Sequence, residues 1–166
     1  MKVFKEEQRF TQTWLIALLA ISICIPILII LKEYLEQSSS FNTKQFLKML
    51  LAIIVSFSLI FFFKLKTRID EIGIHYQFLP FHFKTRIKKW EELKIVYVRK
   101  YQPITEYGGW GLKGGSLWNK KNGIAYNVSG NIGIQLELKN GKKLLIGTQK
   151  EDEVKRVLET YKNKLL

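Results

Sequence analysis

The chain has 166 residues, a formal net charge of +13 and 47% hydrophobic residues. That length leaves room for about one small domain beside any membrane part. A single cysteine excludes an intrachain disulfide, and the cationic surplus points to an anionic partner: a phospholipid surface, nucleic acid or an acidic protein.

The leader MKVFKEEQRFTQT reads as an N-terminal tail. Its Glu6 and Glu7, and the lack of a small-residue cleavage site downstream, argue for an uncleaved anchor and against a signal peptide. From Trp14 to Leu31 no residue is charged. A helix from Gln12 to Lys32 would reach about 30 Å, the hydrocarbon thickness of a bilayer, and Pro26 inside it is tolerated as a kink. A second apolar run, Met49–Phe63, reaches spanning length with Phe46, Leu47 and Leu65 added, and Lys48 and Lys64 can snorkel at its ends. Between the runs lies a polar turn, where Asn42 and Gln45 are spaced to cap the second helix. Trp14, Tyr34 and Phe46 sit where an aromatic belt would place them.

The expected layout is therefore a tail and two-helix transmembrane hairpin over residues 1–65, with spans of about 12–32 and 46–65, followed by a domain over 64–166. Cations flank the outer ends of the hairpin more heavily than its loop, where Lys32, Lys44 and Lys48 stand. The positive-inside rule then puts both termini in the cytoplasm and leaves residues 33–44 facing outward. Apart from the Cys24 thiol the apolar runs Trp14–Leu31 and Met49–Phe63 hold no ionisable side chain, which argues against a pump or channel.

Of the 27 basic residues 21 lie at or after Lys64, with 10 of the 14 acids. There Phe63–Ile69, Ile74–Leu79 and Phe81–Lys88 alternate apolar and polar residues with period two, the mark of half-buried strands. A meander of the three would put Lys64, Lys66, Arg68, His75, Gln77, Lys84, Arg86 and Lys88 on one outer face. Phe63, Leu65, Ile69, Tyr76, Phe83 and Ile87 would point inward. Trp90–Leu93 reads as a corner into a strand over Lys94–Tyr101. A glycine-rich segment, Gln102–Gly115, follows. Leu117-Trp118 and Ile124–Asn127 read as short strands joined by a turn over Asn119–Gly123, Ile132–Leu138 as a strand with an apolar face, and Asn140-Gly141 as a hairpin turn returning through Lys142–Gly147. Thr148 and Glu151 form a capping-box signal for a last helix with Val154, Val157, Leu158, Tyr161 and Leu165 on one stripe. About seven strands and one helix fit a bent antiparallel sheet whose open end the helix plugs.

Arg68–Ile74, Trp90–Leu93, Glu106–Leu112 and Leu136–Thr148 together resemble bacterial pleckstrin-homology-like (PH-like) domains of small membrane proteins. There a two-helix hairpin precedes about seven strands, in a barrel or bent sheet, and a C-terminal helix. The resemblance covers most of the chain and implies an all-β PH-like fold at the cytoplasmic (inner) membrane; no phosphoinositide motif carries over.

No constellation here points to catalysis, a metal or a cofactor. Gly109-Trp-Gly-Leu-Lys-Gly114 matches a nucleotide-loop pattern, but no helical periodicity follows to bring a helix N-terminus to phosphates. His75 and His82 read as outward-facing strand residues, and Asn127-Val-Ser129 as a sequon without use in the cytoplasm. Two surfaces carry the functional expectation. Lys64, Lys66, Arg68, Lys84, Arg86 and Lys88 form a basic face toward anionic phospholipid. Tyr107, Gly108, Gly109, Trp110 and Gly111 form a structural and recognition loop. Nucleic acid is not expected, because the aromatic residues alternate inward and leave no stacking platform. The protein is expected to be a binding or scaffolding module and not an enzyme. The alternative is a non-catalytic subunit that assembles with itself or with a larger membrane complex through Leu144, Ile146 and the loop aromatics.

Overall fold

In the computed structural model, residues 2–36, 43–114 and 122–165 are described. The chain divides into two units, Phe10–Phe62 and a second made of Met1–Arg9 together with Phe63–Leu166.

The first unit is a helical hairpin. Helix α1 (Thr13–Leu35) contains Pro26, and α2 (Thr43–Ser58) continues through a 3-10 turn at Leu59–Phe62. Both are long and apolar enough to cross a membrane, and neither buries a residue. The second helical stretch starts and stops about three residues earlier than expected, because Lys64 and Leu65 belong to a strand. Tyr34 stacks on Phe46 at 4.8 Å, and its hydroxyl lies 3.3 Å from Thr43 Oγ1. Ser56 and Ser58 donate to the carbonyls of Ala52 and Val55, at 2.7 and 2.9 Å. Hydroxyls in an apolar medium need such partners. The expected Asn42 cap lies outside the described residues.

The second unit contains the main departure from expectation. The leader is not a tail but strand β1 (Phe4–Arg9), paired antiparallel with β2 (Lys64–Ile69) from Phe4↔Ile69 to Arg9↔Lys64. Residues 1–9 therefore belong to the strand domain, and the helical hairpin is an insertion between two adjacent strands. Phe4 is fully buried, which stabilises the unit by about 2–3 kcal/mol. Gln8 Nε2 donates to the Gly147 carbonyl at 2.8 Å. Glu6 accepts from Thr148 Oγ1 at 2.7 Å and from the Gln149 N–H at 2.8 Å.

Strands β3 (Gly73–Leu79) and β4 (Arg86–Lys89) complete a sheet ordered β1-β2-β3-β4. Gly73 sits where a Cβ would collide with the Lys88 carbonyl, so only glycine lets β3 and β4 approach there. A 3-10 corner at Trp90–Glu92 leads to β5 (Leu93–Lys100), as expected, and then to a short helix α3 (Pro103–Tyr107). Strands β6 (Gly111–Gly114), β7 (Ile124–Asn127), β8 (Ile132–Leu138) and β9 (Lys143–Gly147) follow. The second sheet runs β5-β8-β9-β7-β6, with β7 parallel to β9 and the other pairs antiparallel. The Asn140-Gly141 turn is as expected, with Gly141 at φ 79°. The Leu117-Trp118 strand and most of the Asn119–Gly123 turn lie outside the described residues.

Nine strands are thus described in two sheets, without a closed barrel. The sheets meet where Tyr76 and Phe78 of β3 touch Tyr126 of β7, with ring centroids 5.2 and 6.2 Å apart. Helix α4 (Glu151–Thr160) buries Val154 and Val157, and Tyr161 just beyond it is buried as well. The capping box does not form. The helix starts at Glu151, two residues later than a Thr148 cap requires, which makes Lys150 the N-cap. The Thr148 hydroxyl instead donates to Glu6 and accepts the Lys150 N–H at 3.1 Å.

Candidate functional site

The outer face of the four-stranded sheet follows from its register. Lys5↔Arg68, Glu7↔Lys66 and Arg9↔Lys64 stand side by side, then Arg68↔His75 and Lys66↔Gln77. An open hollow of about 640 Å³ lies on this face, lined among others by Lys5, Glu7, Lys66, Arg68, His75 and Gln77. Of the six expected basic residues the sheet brings together only Lys64, Lys66 and Arg68. Lys84 lies outside any strand, since β4 begins at Arg86. Arg86 pairs with Tyr76 and Lys88 with Ile74, so both take the opposite parity from that expected. The loop before β4 shifts the strand by one residue, and such a slip exchanges the two faces. For the same reason Ile87 stands beside His75 on the outer face, and Phe83 is 89% exposed instead of inward.

The face is also less positive than its composition. Glu7 takes Lys64 at 2.9 Å and Arg9 at 3.2 Å, and the Lys64 hydrogen bond leads in holding its carboxyl below the usual range. Asp70 takes Arg68 at 2.9 Å and His75 Nε2 at 3.0 Å. Burial works to raise the Asp70 carboxyl, but His75 and the N–H groups of Ile72 and Gly73 outweigh it and hold it low. Among the described residues Lys5 and Lys66 make no ion pair and remain to meet an anion. Sequence reasoning missed Lys5, because in Phe4-Lys-Glu-Glu-Gln8 only one inward residue is apolar.

The glycine-aromatic segment is built inward. Gly108 ends α3 in the left-handed region, at φ 78°, where glycine is favoured. Tyr107 is buried, and its hydroxyl receives Arg99 at 3.1 Å. Arg99 also donates to Glu106 at 2.7 Å and to Gln135 at 3.0 Å, which ties α3 to the second sheet. Burial pushes the Tyr101 phenol up to about 12, and Asn127 Nδ2 donates to its oxygen at 2.9 Å. Trp110 Nε1 donates to the Gly130 carbonyl at 2.9 Å, and Gly111–Gly114 is strand, so Gly109–Gly114 leads into a β-ladder and not a helix. The segment is a brace within the domain. Trp110 is half-buried, so Trp110→Ala should cost about 2 kcal/mol, less than a full core deletion, in thermal melts of the purified protein. Leu144 and Ile146 are core residues too, which removes them as an assembly surface. Asn127 is fully buried and no sugar acceptor.

Comparison with protein-family models and with curated proteins gave no match to this chain.

Two features remain. His82 is buried, not outward, with its ring 5.0 Å from Tyr126 and its Nδ1 accepting the Phe78 N–H at 3.3 Å. Burial, then the Arg86 charge, holds its pKa below the usual value. A base depressed in the folded state contributes stability above about pH 6.5 that is lost as pH falls through the folded pKa. Melting temperature should therefore drop on acidification below that pH, and His82→Gln should flatten this limb. Second, β5 is an edge strand among the described residues. Beside it a groove of about 530 Å³ is lined by apolar residues such as Ile95, Val98 and Leu158 and by the charged Lys94, Lys155 and Glu159, among others.

Proposed function

We propose that the helical hairpin anchors the protein in the cytoplasmic membrane and that the strand unit is a PH-like binding or scaffolding module on its inner surface. The observation that supports this most is the insertion of two wholly unburied apolar helices between paired strands. Pairing of β1 with β2 requires both to lie on one side of the bilayer, as two spans provide. The surplus of cations outside the hairpin favours the cytoplasmic side. Its outer-face cations Lys5 and Lys66 then contact anionic lipid headgroups, each worth about 1 kcal/mol near such a surface. The role is non-catalytic.

A reporter active only in the cytoplasm should give signal when fused after Leu166 and none when inserted between α1 and α2. In mild detergent, Lys5→Glu and Lys66→Glu together should reduce the anionic lipid retained by the full chain, read by native mass spectrometry. Equal retention would remove the face from this role. The groove beside edge strand β5 supports a second reading, a subunit whose partner adds a strand there. Co-purification in mild detergent separates the two.

A further inference from the structure

The turn between β3 and β4, residues 80–85, holds the most exposed large aromatic described in the chain. Phe83 is 89% exposed and Phe81 54%. Isolated exposed apolar residues are ordinary, but these two share a turn held firmly in place. His82 between them is buried, and its N–H donates to the Phe78 carbonyl at 2.8 Å. Gln77 Nε2 donates to the carbonyls of His82 and Phe83, at 3.1 and 3.2 Å. Phe81 leans on Phe63 at 5.8 Å and Phe78 at 6.0 Å. With His82 as its internal anchor, the turn holds the Phe83 ring out in solvent, where it gains nothing for folding.

Charge and position say what covers it. From Leu79 to Trp90 the chain carries Lys84, Arg86, Lys88 and Lys89 and no acid before Glu91. Lys84 and Arg86 are exposed and make no ion pair among the described residues, although Arg86 hydrogen-bonds Tyr76. Leu79, where the turn begins, is the cross-strand partner of Lys64. Lys64 is two residues from the end of the second helical stretch at Phe62, a reach of no more than about 7 Å along the chain. The turn therefore lies at the end of the sheet from which the hairpin departs.

We infer that the β3–β4 turn is a membrane-interface wedge. Phe83 and Phe81 enter the headgroup–acyl boundary of the leaflet in which the hairpin starts, and Lys84 and Arg86 meet lipid phosphates. Aromatic rings favour that depth, and neighbouring cations add attraction to an anionic leaflet. This rests on the membrane reading above and adds to the contact at the sheet's outer face a second one at its hairpin end.

The test uses the full chain in nanodiscs of mixed phosphatidylcholine and phosphatidylglycerol, with an environment-sensitive fluorophore on one cysteine at a time. The sites are native Cys24; position 83 as Phe83→Cys with Cys24→Ser; and position 140 as Asn140→Cys with Cys24→Ser, an exposed turn residue for comparison. Position 83 tolerates change because its side chain makes little contact. The label at 83 should shift to the blue, lose most of its emission to spin-labelled lipid with a shallow label, and be shielded from iodide. The label at 140 should do the reverse. Iodide quenching at 83 equal to that at 140, with Cys24 quenched by lipid, overturns the wedge and leaves the membrane anchor standing. Shielding at 83 from both quenchers also overturns it, by showing a protein partner or second copy on the turn. Escape of Cys24 from every lipid-borne quencher overturns the anchor itself, and the wedge with it.

Discussion

Deleting residues 1–9 should unfold the strand domain, although those residues precede the hairpin and are remote from the domain in sequence. Phe4 and Gln8 are buried, Gln8 donates to Gly147 of the second sheet, and Glu6 holds Thr148 and Gln149 just before α4. Losing Phe4 removes about 2–3 kcal/mol of burial, and each hydrogen bond about 1 kcal/mol more. Leu65 and Ile69 of β2 would lose their neighbours on one side. The total is a large share of the roughly 5–15 kcal/mol that holds a small domain together. A fragment of residues 64–166 should therefore show no cooperative melt. Residues 2–9 joined to 64–166 by Asn-Gly should fold as a soluble protein, because Arg9↔Lys64 is the last registered pair and a two-residue turn closes such a pair. Equal melting temperatures for the two proteins would show that β1 contributes nothing.

Trp90→Ala should be the most damaging single substitution at the corner between the sheets. The indole is 4% exposed and donates from Nε1 to the Asp70 carbonyl at 2.9 Å. It also stacks on Tyr161 at 5.4 Å, and Tyr161 in turn donates to the Lys2 carbonyl at 2.6 Å. One side chain thus joins the β2–β3 turn, the end of α4 and the chain start. Its removal should cost about 3–5 kcal/mol, as for other buried aromatic deletions. Tyr161→Phe, which keeps the stack and removes only the hydrogen bond, should cost about 1 kcal/mol. Urea titrations of the full chain in detergent would read both, and a Trp90→Ala loss no greater than that of Tyr161→Phe would contradict the assignment.

What could be read from the sequence were the features carried by consecutive residues. The apolar runs, the strand at Ile132–Leu138, the Asn140-Gly141 turn and the Val154–Val157–Tyr161 stripe each state their own period, and each appears in place. What could not be read were features set by distant neighbours. Nothing within Phe4–Arg9 reveals that its partner lies beyond both helices. The inward Glu6 and Gln8 are polar, and their partners are on β9 and the loop after it. The Phe81–Lys88 alternation is real but misleading, because the turn before β4 consumes its first half and reverses the parity of the rest. Thr148 carries a cap signal, yet the helix starts only at Glu151, and the Thr148 hydroxyl ties Glu6 to the Lys150 N–H instead. The basic face fails as a unit on the same ground. Composition counts cations, while register decides which stand together and which meet Glu7, Asp70 or Glu92 first.

The placement of the helices between β1 and β2 has a consequence for how the protein is made. The ribosome delivers β1 before either helix, and its strand partner only after both. Until β2 emerges, β1 has no ladder to join. If the hairpin inserts with a single crossing, the two strands end on opposite faces of the bilayer and cannot meet. In the membrane reading, a folded domain is thus a certificate of correct insertion. A mis-threaded chain keeps Phe4, Leu65 and Ile69 uncovered, open to the proteases that clear unfolded protein.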